Sequence, residues 1–247
     1  MQQKRNVVIT GAAGGIGSLL VGRFLSNQDR VFAMDRNAEA LSRLKSAHTN
    51  SDRLVTFAGD VSKREDTLKC ADLVRTEAAG QLQVLVNCAG DFPFHSFEHM
   101  PYDEWRNIID TNLGGVFLMM QAMLPFMKAA GWGRVINFGS ASVFEGVAEQ
   151  VHYVAAKAGV IGLSRSLAVE FGNYGITVNV VTPGLTRTEP INRTAQPELI
   201  SQQREMRSLH RDEQPEDLVG PVFFLASPDS GFISGQILNV DGGKIKH

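Results

Sequence analysis

Short apolar runs alternate along this chain with longer stretches in which apolar residues recur every three or four positions. The runs are NVVIT from Asn6, RVFAMD from Arg30, RLVTFAGD from Arg53, VLVNCAG from Val84, RVINFGS from Arg134, ITVNVVTPG from Ile176 and QILNVDGG from Gln236. Most are continuously apolar rather than alternating, the pattern of strands covered on both faces. Between them lie helical stretches such as LLVGRFLSNQ, REDTLKCADLVRTEAA, DEWRNIIDTNLGGVFLMMQAMLPFMKAA and VHYVAAKAGVIGLSRSLAVEFG. Strand–helix alternation predicts parallel β-α-β units with right-handed crossovers. The expected fold is α/β, a Rossmann-like doubly wound parallel sheet of about seven strands with helices on both faces. No linker, low-complexity tract or repeat interrupts the pattern, so residues 1–247 read as one domain.

Two stretches break the rhythm. Residues 185–214 are polar, carry Pro190 and Pro197, and lack a strand pattern. An insertion of that length in a compact domain reads as a substrate lid. The second is NVVITGAAGGIGSLLVG, a charge-free stretch behind Lys4 and Arg5 that superficially mimics a leader or membrane anchor. Gly11, Gly14, Gly15, Gly17 and Gly22, with Arg23 close behind, argue against both, because a spanning helix needs about 20 mostly apolar residues without such breaks. It reads instead as strand, glycine turn and helix.

Composition narrows the class further. The 247 residues are 43% hydrophobic and 20% charged, as in ordinary globular proteins, and the formal net charge of −2 steers the chain towards neither nucleic acid nor an anionic membrane. Cys70 and Cys88 are the two cysteines, which excludes a disulfide framework and suits a reducing cytoplasm.

The candidate chemistry begins at TGAAGGIG, Thr10 to Gly17, between the first strand and the first helix. Glycines there permit a tight turn and close backbone approach, and the helix N-terminus turns amide dipoles towards a pyrophosphate. Gly11, Gly15, Ile16 and Gly17 are therefore cofactor candidates. Asp35, about twenty residues on at the end of the second strand, can accept hydrogen bonds from the adenosine ribose and would repel a 2′-phosphate. This favours NAD. Arg36 leaves NADP open, since it could reach a 2′-phosphate or stack on adenine. Asp60 and Val61 after the third strand, and Asn87, Ala89 and Gly90 after the fourth, are further candidates, because open α/β sheets bind ligands at the C-terminal ends of their strands. In VHYVAAKAG, Tyr153 and Lys157 stand four residues apart and so share one helix face.

Taken together these residues resemble the short-chain dehydrogenase/reductase family, in its shorter single-domain branch. The resemblance covers essentially the whole chain. It rests on TGAAGGIG, NCAG at Asn87, the asparagine of DTNLGGVF (Asn112), Ser140 thirteen residues before Tyr153, YVAAK, the PG at Pro183 and VDGG near the end. Two departures are NCAG in place of the usual NNAG, and GS in place of paired serines. The resemblance implies a catalytic tetrad of Asn112, Ser140, Tyr153 and Lys157, with Tyr153 and Lys157 also touching the cofactor and Pro183, Gly184 and Thr188 flanking its nicotinamide. Tyr153 would exchange a proton with the substrate oxygen and Ser140 would hydrogen-bond it. Asn112, beside the helix-breaking Gly114 and Gly115, would hold a water towards Lys157. A free phenol titrates near ~10, so work near neutral pH needs it lowered by about 2–3 pH units, roughly 3–4 kcal/mol, for which the Lys157 ammonium is the expected source.

The expected activity is hydride transfer between a nicotinamide cofactor and a small apolar or aromatic secondary alcohol or ketone. Phe92, Phe94, Phe144 and Leu185 are the expected pocket walls. The chain also looks similar to NAD-dependent members acting on aromatic secondary alcohols or ring-borne alcohols, through GWGRVIN, YVAAKAGVIG, VTPGL and the ending DGGKIKH. The alternatives are an NADPH-dependent 3-oxoacyl-thioester reductase and a non-catalytic NAD(P)-binding sensor. His95, His99, His152 and His210 show no metal-ligand spacing, so they read as surface or pocket histidines and no metal is expected. The resemblance further implies a homotetramer packed through the helices of Asn112 and Tyr153, with a small molecule as the only other partner.

Overall fold

The computed structural model describes residues 4–49 and 51–246; of the DGGKIKH ending, His247 lies outside them. Seven strands form one parallel sheet: β1 (Asn6–Thr10), β2 (Arg30–Asp35), β3 (Leu54–Ala58), β4 (Val84–Asn87), β5 (Gly133–Phe138), β6 (Ile176–Pro183) and β7 (Ile237–Val240). Their spatial order is β3-β2-β1-β4-β5-β6-β7. The order reverses between β1 and β4, and a cleft opens there at the strands' C-terminal ends.

The helices are α1 (Gly15–Ser26), α2 (Ala38–Ala47), α3 (Arg64–Glu77), α4 (Tyr102–Ile109), α5 (Gly115–Ala130), the short α6 (Ser142–Glu145), α7 (Val151–Phe171), α8 (Glu189–Thr194), α9 (Pro197–Met206) and α10 (Glu216–Leu225). Alternation along each strand divides the core into two layers. Val7, Ile9, Val31, Ala33, Val84 and Val86 face α1 and α10, meeting Leu20, Phe24, Leu218 and Val222. Val8, Phe32, Met34, Leu85 and Val135 face the other side, meeting Val74, Met119, Met123, Met127 and Val160 of α3, α5 and α7. Side chains such as Ile9, Leu20 and Leu85 are fully buried, each worth about 1.5–3 kcal/mol of burial.

The run Tyr102–Ala130 is long and apolar enough to cross a bilayer. Here it is broken by a π-helical turn at Asp110–Gly114 and buries its methionines against the sheet. That turn is the helix distortion expected from Asn112 and its glycines. Residues 185–214, expected without a strand, contain α8 and α9 and are closed at the base by a parallel bridge between Thr186 and Glu213.

Candidate active site

Two joined cavities occupy the C-terminal edge of the sheet. One, of about 230 Å³, runs past Gly11, Gly14, Gly15, Ile16 and Gly17 to Asp35, Arg36, Asp60, Val61, Ala89 and Gly90. The other, of about 260 Å³, is walled by Ser140, Tyr153, Lys157, Pro183, Gly184 and the 185–203 segment. Ile16, Cys88, Gly90, Phe92 and Thr188 line both.

The first cavity is shaped by the glycine turn. Gly11 has φ +63°, and a Cβ on it would lie 2.8 Å from the Ala89 backbone. At Gly17 a Cβ would lie 2.1 Å from the Gly11 carbonyl oxygen, so α1 can start this close to β1 only without a side chain. Gly14 at the N-cap supplies no side-chain cap, which leaves the first-turn amides turned to the cavity. Thr10 Oγ1 accepts from both Cys88 N and Ala89 N at 3.2 Å, tying the end of β4 to the same turn. Asp35 is held at the rim by Ala13 N (3.0 Å) and Asn37 N (2.9 Å), with acceptor capacity to spare on each oxygen. An uncapped helix start beside a fixed carboxylate fits the diphosphate and ribose of a dinucleotide.

Three candidates of this group sit differently from expectation. Asn87 is 2% exposed and turned into the core, where its amide donates to Asn137 Oδ1 at 2.8 Å; it is not on the cavity wall. Arg36 is paired with Asp91 at 3.3 Å across the cavity rim rather than standing free. Asp60 lines the cavity, but its Oδ1 is engaged by Ser62 N and Oγ in a local turn.

The second cavity gathers the remaining candidates. Tyr153 and Lys157 face the same way from α7, the ammonium lying 5.7 Å from the phenol ring centre. Lys157 Nζ donates to Phe138 O at 2.9 Å, which anchors it to the end of β5. Asn112 is fully buried; its amide nitrogen donates to Ile108 O (3.0 Å) and Asp91 O (2.8 Å), and its oxygen accepts from Asp91 N. It thus ties the Ile108 carbonyl ahead of the π turn to the loop after β4 and fixes that loop. Gly90 is where this packing is tightest, since a Cβ there would lie 2.7 Å from Asn112 Oδ1 and 3.5 Å from Lys157 Nζ. Thr188 approaches Gly15 across the junction between the two cavities, and Pro183 and Gly184 form the opposite wall.

Electrostatics here correct one expectation. Burial pushes the Tyr153 phenol above its ordinary value, while a hydrogen bond from Ser140 pulls it down. Burial also brings the Lys157 ammonium down to about 8. Lys157 does not reverse the desolvation of the phenol, so burial moves it up, opposite to the lowering expected from helix spacing alone. Cys88, beside Lys157, is pushed up to about 12 by burial and stays a thiol.

Sequence reasoning missed several wall residues. Ser142 donates to Ser140 Oγ from its amide (3.2 Å) and its hydroxyl (2.8 Å). A serine two positions beyond Ser140 was the available signal. Glu145 and Gln203, joined through Lys244, give the cavity a polar end, and Gln150 adds a polar side chain beside Phe92; no local pattern announces them. Phe92, Phe94 and Leu185 line the cavity as expected, but Phe144 does not; Phe138, Val147, Ile191 and Leu199 add further apolar surface. His152, expected at a surface or pocket, is fully buried: it accepts from Tyr153 N at 2.9 Å and meets Glu104, which also pairs with His95. Among the described residues no group of three or more His, Cys, Asp or Glu side chains is arranged to hold a metal.

Known proteins share this architecture. A family model described as enoyl-(acyl carrier protein) reductase matches residues 11–244. The 2,3-dihydroxy-2,3-dihydro-p-cumate dehydrogenase of Pseudomonas putida is 36% identical over 96% of this chain and 92% of its own. An oxidoreductase of the short-chain dehydrogenase/reductase family from Burkholderia thailandensis superposes with a TM-score of 0.88 at 32% identity, covering 99% of this chain and 94% of that one. A 3-oxoacyl-[acyl-carrier protein] reductase from Brucella melitensis, solved with bound NAD, gives the same TM-score at 31% identity over 98% and 91% of the two chains. With a doubly wound sheet matched over nearly its full length by such relatives, this chain belongs to the short-chain dehydrogenase/reductase family.

Proposed function

We propose that the protein interconverts a small, largely apolar or aromatic secondary alcohol and its ketone, with NAD as the preferred hydride carrier. That it is an oxidoreductase acting on a CH–OH group follows from its family. The observation that carries the finer reading is the second cavity. One wall presents Ser140, Tyr153 and Lys157, and the rest is largely Phe92, Phe94, Phe138, Val147, Leu185, Ile191 and Leu199. A secondary alcohol with its carbinol at Tyr153 and its body among these side chains would be largely desolvated.

When bound, the nicotinamide supplies the hydride acceptor or donor and, in its oxidised form, a positive charge beside the phenol. Tyr153 would take the hydroxyl proton during oxidation and return it during reduction. Ser140 would donate to the substrate oxygen, its own acceptor sites being used by Ser142. Lys157, anchored on Phe138 O, would hold a positive charge near the phenol at neutral pH. Asn112 would act by fixing the loop after β4 and so the floor beneath Lys157. Asp35, on the rim without a basic residue in the glycine turn, supports NAD over NADP, and the NAD seen in the Brucella melitensis relative is in keeping with this.

The chief rival is reduction of a 3-oxoacyl thioester with NADPH. The engagement of Arg36 by Asp91 counts against it. The segment 185–214 is read as the lid, since Leu185, Thr186, Thr188, Ile191, Leu199 and Gln203 all face the cavity. A homotetramer packed through the helices of Asn112 and Tyr153 is the assembly we propose, with Val169, 84% exposed on α7, an apolar position available to it. The test is a fluorescence titration with both reduced dinucleotides, followed by initial rates on a panel of secondary alcohols and 3-oxoacyl thioesters. Oxidation of aryl or alicyclic alcohols with NAD supports the proposal. Turnover confined to thioesters with NADPH replaces it, and binding without any turnover points to a sensor.

A further inference from the structure

The substrate cavity has a built polar end. The tail beyond β7 is pinned by Asp241, whose Oδ1 accepts from Gly243 N (2.9 Å) and Lys244 N (3.0 Å) and whose Oδ2 accepts from Ile245 N (2.8 Å). This turn directs the Lys244 side chain inwards, where it is 2% exposed. A buried ammonium must be paired, and Lys244 Nζ meets the Glu145 carboxylate and donates to Gln203 Oε1 at 2.8 Å. Glu145 and Gln203 both line the cavity; Lys244 stands behind them.

Hydrogen-bond inventory then sets what this end presents. The ammonium occupies one oxygen of Glu145, and a carboxylate has about four acceptor positions. Because Gln203 accepts with its oxygen, its NH₂ is left as a double donor, and among the described residues that side chain makes no other hydrogen bond. Gln150 donates to Phe92 O at 3.0 Å and so keeps its oxygen as an acceptor. The end of the cavity therefore offers a strong acceptor beside a donor, with the pair's charge already compensated by Lys244. A hydroxyl, which both donates and accepts, matches that set. A substrate anion would face the Glu145 carboxylate, and a purely apolar group would leave the polar end unpaired.

We propose that Glu145 and Gln203, preset by Lys244, are specificity-determining residues that select a secondary alcohol bearing a second hydroxyl away from the reacting carbon. This rests on the cavity being the alcohol site argued above. The test compares 1-phenylethanol with analogues carrying an added hydroxyl or hydroxymethyl group on the ring, in the full-length protein with NAD. The wild type should favour the best hydroxylated analogue in kcat/KM by about tenfold or more, as for a hydrogen bond to a charged group. Glu145→Gln replaces a charged acceptor by a neutral one and should lower that ratio by about fivefold, read as the quotient of the two substrates so that any loss common to both cancels. Gln203→Met, on the partly exposed α9, repeats the test should Glu145→Gln fold poorly. Calorimetric Kd values for the same ligands with the dinucleotide present read the ratio even if none is turned over. Equal affinity of wild type for parent and hydroxylated ligands, or a ratio unchanged in both variants, overturns the proposal. Oxidation of the parent alcohol with no hydroxyl preference would leave the alcohol dehydrogenase reading standing and remove only this one.

Discussion

Ser140 is predicted to act through a single directed proton, and Ser142 to act only by directing it. A serine hydroxyl has one donor and two acceptor positions. Ser142 fills both acceptors of Ser140, with its amide at 3.2 Å and its hydroxyl at 2.8 Å, so the one Ser140 proton is left for the cavity side: it bonds the Tyr153 phenol and would turn to the substrate oxygen in a complex. Replacing Ser140 by Ala removes a donor aimed at developing negative charge, worth about 2.7–4 kcal/mol, and kcat for alcohol oxidation should fall by about 10²–10³-fold. The same change removes the hydrogen bond that pulls the phenol down, so Tyr153 titrates higher and the rising limb of kcat against pH moves to the alkaline side. Ser142→Ala keeps its amide and loses one neutral hydrogen bond, about 1 kcal/mol, for a loss of about fivefold. Because Ser142 works through Ser140, the double variant should be no slower than Ser140→Ala alone. Initial rates of nicotinamide reduction across pH give all three quantities. A Ser140→Ala enzyme within threefold of wild type, or losses that add in the double variant, would refute this arrangement.

Lys157→Met should change how stability depends on pH. The folded ammonium titrates at about 8 against an ordinary 10.5, so between those values the unfolded chain binds more protons and wild-type stability rises with pH. The variant should lack a gain of about 2 kcal/mol, read from urea unfolding at about pH 7.5 and about pH 10; parallel profiles would contradict the burial assigned to Lys157. Asp35→Ser should raise the ratio of kcat/KM with NADP to that with NAD by about ten- to a hundredfold, since it removes a negative charge from the ribose end of the cavity. An unchanged ratio would place the 2′ position elsewhere. Asp29→Ala should cost about 3–5 kcal/mol in chemical denaturation, because Asp29 is fully buried and pairs with the 7%-exposed Arg5 through its backbone N, Nε and Nη2. Converting both partners to apolar residues should recover much of that loss, and failure to recover would show that the pair does more than satisfy itself.

What could be read from the residues, and what could not, follows the range of the forces involved. Strand runs and the glycine turn are local: Val7, Val8 and Ile9 announce a strand buried on both faces, and Gly11 and Gly17 announce a turn that no side chain fits. The Tyr153–Lys157 spacing is equally local, and the two groups do share a face. Asn87 misleads because a strand end looks the same whether its side chain enters the cleft or, as here, bonds Asn137 inside the sheet. Glu145, Gln203 and Lys244 come from three distant parts of the chain, and only the Asp241 turn and the course of α9 make them neighbours. The sign of the Tyr153 shift is the deepest case. Helix spacing fixes that an ammonium is near, but the phenol's acidity depends on how much water both groups lose, and burial outweighs attraction here. The consequence is mechanistic. Burial of the phenol disfavours the phenolate, the form that would take a proton from an alcohol. A positive charge beside the phenol, such as an oxidised nicotinamide would bring, favours the phenolate and opposes the effect of burial, which would tie proton transfer to the state in which hydride transfer can also occur.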